Sequence, residues 1–118
     1  MHTPINDEAH QSLGRAWVLL DRAEHLARQA VQTETGSSLW LLAANSVLRA
    51  RDALEATYPA APHVGGVEPL PAGTCQDLVQ AAAQQLRNIP EGHEPEGLSL
   101  VLGYLAEAEH EVGGRFRR

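Results

Sequence analysis

Residues 13–31 read LGRAWVLLDRAEHLARQAV, and their spacing decides the fold. At about 100° per residue, Leu13, Ala16, Trp17, Leu20, Ala27 and Val31 fall on one face, the signature of an amphipathic helix. Thr3-Pro4 or Asn6 can open this helix, and Gly36 stands where a left-handed cap closes it. The first helix therefore covers about 6–34. Ser37 or Ser38 caps a second helix over about 38–57, which Pro59 stops. With so few residues between them, the two should pair as an antiparallel hairpin.

Residues 58–73 (YPAAPHVGGVEPLPAG) carry four prolines and three glycines and read as a long loop without regular helix. Thr74 followed by Asp77 resembles a capping box, and a third helix over about 75–88 follows. Its apolar face is Cys75, Leu78, Val79, Ala82, Leu86 and Ile89. Pro95 sits near the first position of a fourth helix, about 95–112, which Gly113-Gly114 ends. The expectation is an all-α fold: a single helical domain, 1–118, built as an antiparallel four-helix bundle with a Pro/Gly-rich loop between helices 2 and 3. In a simple up-down order the first and last helices run antiparallel, which sets Glu109 near the height of His10.

Composition agrees. Eighteen Ala and sixteen Leu stand against eight Val, two Ile and one Phe, a balance unfavourable to strands. The single Cys75 excludes an internal disulfide and any Cys-based zinc site, and it fits a reducing compartment. The amino terminus lacks a basic region and apolar core, and the longest apolar run, Leu39–Ala44, is far too short to cross a bilayer. A cytoplasmic protein with no membrane contact is expected. Net charge is −6 and all nine basic residues are Arg, with Arg115-Phe116-Arg117-Arg118 the one basic cluster. Without a basic stripe, nucleic acid is not the expected partner.

Helices 2 and 4 hold more apolar residues than one core face uses. Beside the main stripe of helix 2 (Leu39, Ala43, Val47, Ala50, Leu54) runs a second one of Leu41, Ala44 and Leu48. On helix 4, Leu100 and Tyr104 point away from Leu98, Val101, Leu102 and Leu105. Contiguous exposed apolar surface marks an interface, so Leu41, Leu48, Leu100 and Tyr104 are the candidate contacts of a homodimer.

Two carboxylates interrupt the apolar faces: Glu24 among Trp17, Leu20, Ala27 and Val31, and Glu109 between Leu105 and Val112. A buried carboxylate needs a partner. Arg28, four residues after Glu24, is in the favourable order for a helix ion pair, while Glu109 in the last turn can reach solvent. Metal-ligand spacings occur at Asp21/His25 and Glu107/His110. The latter is the Glu-x-x-His of di-iron bundles, but a second copy is missing and both histidines lie on polar faces, so no metal or other cofactor is expected.

Arg87-Asn88-Ile89-Pro90-Glu91-Gly92-His93 places His six residues after Arg, with Asn directly following the Arg. This resembles the active-site motif of HEPN domains, compact helical bundles of about this length. The resemblance implies metal-independent RNA cleavage in a dimer. Arg87 would stabilise phosphate charge, His93 would serve as general acid/base, and Asn88 would orient them. Another alternative is small-molecule binding between Ala-rich helix faces beside Trp17 and Trp40. The leading expectation is a non-enzymatic interaction or regulatory module whose partner is itself or another protein.

Overall fold

The computed structural model describes residues 7–33, 37–64, 73–89, 92 and 96–113. These form five helices: α1 (Asp7–Thr33), α2 (Ser37–Thr57), α3 (Ala61–Val64), α4 (Cys75–Arg87) and α5 (Leu98–Gly113). The described residues contain no strand, and none of their helices is long and apolar enough to cross a membrane.

The seam of α1 is built on alternating steps of three and four residues. Ala9, Leu13, Ala16, Leu20, Ala23, Ala27 and Ala30 are all buried along it. This is heptad spacing, and alanine at most of these positions lets neighbouring backbones approach closely. One consequence is that the Cys75 thiol, at the start of α4, donates a hydrogen bond to the Ala23 carbonyl at 3.3 Å. On α2 the same rhythm buries Ala43, Val47, Ala50 and Leu54. Val79, Ala82, Leu86, Val101 and Leu105 complete the core from α4 and α5. Helix α1 packs on α2, α3 and α4, while α5 packs on α2 and α4.

Side-chain pairings give the helix directions. His10 bonds Tyr58, Trp17 bonds Glu55 and Asp21 bonds Arg51, so α1 and α2 run antiparallel. Gly97 lies against Thr57, and Arg49 meets Tyr104 and Glu107, so α2 and α5 run antiparallel too. Helices α1 and α5 therefore share a direction. This corrects the simple up-down order and the position it assigned to Glu109, which stands far from the level of His10. The cause is the connection after α2. The chain leaves α2 beside His10 and enters α4 beside Ala23, roughly 20 Å further along α1. A long crossover, rather than a tight turn, is what the length of segment 58–73 provides.

Part of that segment is also helical, contrary to the expectation of a loop throughout. Ala61–Val64 makes one turn, supported by hydrogen bonds from the Ala61 N–H to the Tyr58 carbonyl and from the His63 N–H to the Ala60 carbonyl. Pro62 is tolerated because it lies in the first turn, where its missing N–H has no helical acceptor. Fully buried Ala61 anchors this turn on the core.

Helix α4 begins with the expected capping box. The Thr74 hydroxyl accepts from the Asp77 N–H at 3.2 Å, and the Asp77 carboxylate accepts from the Thr74 N–H at 3.0 Å. Gly73 permits this closure, since a Cβ there would lie 2.9 Å from the Asp77 side chain. Helix α5 starts at Leu98, three residues later than the spacing around Pro95 suggests. Gly97 is the reason: its φ of +92° breaks helical geometry just before the first turn.

Candidate functional site

Among the described residues the exposed large hydrophobics are Leu41, Leu42 and Leu100, the last 59% exposed. All three lie on α2 and α5, the two helices with surplus apolar residues. Leu48 and Tyr104 are half-buried. Ala44, assigned to the outer stripe of α2, is fully buried, so part of that stripe faces the core. Leu42, which lies beside the Leu41/Leu48 stripe and not on it, is 54% exposed.

The outer surface of the α2–α5 pair has a definite layout. Leu42 and Arg49 are seven apart on one stripe of α2, and Leu100, Tyr104 and Glu107 follow one stripe of α5. Arg49 bridges the two, 3.6 Å from the Glu107 carboxylate and 6.0 Å from the Tyr104 ring centre. Leu42 and Leu100 thus flank a central charged pair, roughly 16 Å apart along the helix axes.

The buried carboxylate on α1 has a different role. Glu24 is 6% exposed, and both of its oxygens are occupied. Arg28 Nε donates to Oε2, the i,i+4 pairing its spacing suggests, and Arg51 Nη1 donates to Oε1 at 3.2 Å. Arg51 also donates to Asp21 at 2.7 Å and lies 5.8 Å from the centre of the Trp17 ring, whose indole N–H donates to Glu55 at 3.1 Å. Arg51 was not foreseen, although its place next to Ala50 and between Val47 and Leu54 puts a cation at the edge of the buried stripe.

Asp21, Glu24 and His25 bring possible metal-ligand atoms within 4.8 Å of one another. Two guanidiniums already hold the carboxylates, and a divalent cation would have to displace both. The seam is therefore an interhelical ion network that sets the α1–α2 register. Both Glu24 oxygens take part in that network.

Glu109 is half-buried, and its carboxylate accepts from Arg87 Nη2 at 2.9 Å. The Arg87 guanidinium of the HEPN-like motif is thus engaged by a carboxylate of its own chain. Asn88 caps α4, its N–H donating to the Gln84 carbonyl, and its side chain is exposed. His93 lies outside the described residues. Cys75 is buried, which pushes its thiol pKa from 9.0 up to about 12 and makes it a poor nucleophile. Trp40 is buried in the core, and Trp17 packs against the core from its edge, its indole N–H donating to Glu55.

Comparison with protein-family models, curated proteins and solved structures returns no match to this chain.

Proposed function

We propose that the protein is a small non-enzymatic interaction or regulatory module that works as a homodimer, joined through the apolar outer surface of α2 and α5. The observation carrying this reading is that Leu41, Leu42 and Leu100, the exposed large hydrophobics of the described residues, are confined to those two helices. Their layout suits self-pairing. A two-fold axis near Arg49 and Glu107 sets Leu42 of one copy against Leu100 of the other, and places both charges at the centre of a self-complementary face. Tyr104 and Leu48 then lose the remainder of their exposed surface.

Within this reading α1, α2, α4 and α5 form a four-helix bundle, with antiparallel neighbours across α1–α2 and α2–α5 and segment 58–73 as the crossover. The work is done in the cytoplasm, where a lone buried thiol stays reduced.

The test is sedimentation equilibrium of the wild type beside Leu100→Glu. Leu100 is mostly exposed, so the substitution leaves the monomer fold intact and places a charge in the interface. Wild type should sediment as a dimer and Leu100→Glu as a folded monomer. A monomeric wild type, or a dimer indifferent to Leu100→Glu, contradicts the proposal.

A further inference from the structure

Where the end of α4 meets the first turns of α5 there is a cleft of about 440 Å³. It is lined by Leu86, Ile89, Leu98 and Leu102, of which Leu102 is the most accessible and the other three are nearly fully buried, together with the polar side chains of Arg87 and Ser99. Small-molecule sites have this size and this mixture, a mostly apolar lining with a few polar groups that orient the ligand. Arg87 is the cation lining it, with its side chain half-exposed. Its Nη2 donates to Glu109, and its other N–H groups have no partner among the described residues. A guanidinium carries five donors, so donor capacity remains for an incoming anion while Glu109 holds the group at the cleft.

We propose that this cleft binds a small amphipathic carboxylate. The apolar body lies against Leu102 and the slivers of Leu86, Ile89 and Leu98 that reach the cleft, and the carboxylate accepts hydrogen bonds from Arg87, with the Ser99 hydroxyl available as a further donor. Glu109 competes with the ligand for Arg87 and so sets its affinity. The site is independent of the proposed dimer: Leu100, two residues from Leu98 and from Leu102, points to nearly the opposite side of α5.

Octanoate is a suitable probe, titrated into ¹⁵N-labelled protein and followed by amide chemical shifts, with octanol as the uncharged control. Binding is expected in the millimolar range typical of so small a ligand, with shifts concentrated at Leu86, Ile89, Ser99 and Leu102. Arg87→Met should weaken octanoate about tenfold and leave octanol unchanged, as expected for loss of a charge-assisted hydrogen bond. Glu109→Gln should tighten octanoate several-fold by releasing Arg87, a gain that a damaged fold would not produce. Shifts scattered over the surface, equal binding of octanol and octanoate, or affinities unmoved by both substitutions would each overturn the proposal.

Discussion

Replacing Arg51 with Met tests the α1–α2 ion network most severely. Met keeps the apolar stem of the side chain and removes the guanidinium. Losing one partner of a buried ion pair typically costs about 3–5 kcal/mol. Here Glu24 keeps Arg28, and Asp21 is about one-third exposed, so the electrostatic loss falls to roughly 2 kcal/mol. The contact over Trp17 contributes about 0.5–1 kcal/mol more. The expected destabilisation is therefore about 2.5 kcal/mol, or a melting temperature lowered by roughly 10–20 °C in a domain of this size. Urea unfolding followed by helical circular dichroism measures it. The double variant Arg51→Met/Glu24→Leu should recover at least about 1 kcal/mol, because it no longer leaves an under-paired carboxylate in the seam. A loss below about 0.5 kcal/mol for Arg51→Met, or simple additivity in the double variant, would show that the network does not hold the two helices in register.

Thr74→Ala removes one half of the α4 capping box and should cost about 1 kcal/mol in the same urea assay. Gly97→Ala places a side chain at φ +92° and 3.2 Å from the Thr57 hydroxyl oxygen; the expected loss is about 1–2 kcal/mol, read from the thermal midpoint. Cys75 should resist a thiol reagent in the folded protein at pH 8 and react fully once urea unfolds it. Its pKa rises from 9.0 to about 12 on folding, so both states hold the proton below pH 9 and this thiol adds no pH dependence there. Between those values the unfolded chain ionises first, and stability falls by up to about 1.4 kcal/mol per pH unit. Wild type should accordingly lose up to about 2 kcal/mol more than Cys75→Ala between pH 8 and pH 10.5.

The long helices were legible because each carries local signals that agree with its apolar period. Pro59 lies just past α2 and the Thr74/Asp77 pair opens α4, while Gly36, the expected cap of α1, lies outside the described residues. The antiparallel α1–α2 pair followed from its short connection, but the direction of α5 relative to α1 was not legible, because it depends on where the connection after α2 lands, and a proline- and glycine-rich stretch does not say how far it travels. That gap misplaced Glu109. The turn at Ala61–Val64 was hidden by Pro62, which reads as a breaker unless its position within the first turn is known. Glu24 and Arg28 could be paired from spacing alone, since i,i+4 neighbours meet on any helix. Arg51 required the register between two helices, which no single-helix pattern contains. The same applies to Arg87 and Glu109: each stood out in its own segment, and only the packing of α4 on α5 joins them. Burial of Ala44 and exposure of Leu42 differ from the reading by a small rotation of α2. The apolar surface was therefore assigned to the correct helices but incompletely to individual residues.

The most direct measurement is a native mass spectrum of the untagged protein as purified. Self-association through α2 and α5 predicts a dominant species at twice the 12.7 kDa chain mass, converted to monomer by Leu100→Glu. A wild-type spectrum containing only the bare monomer would contradict it.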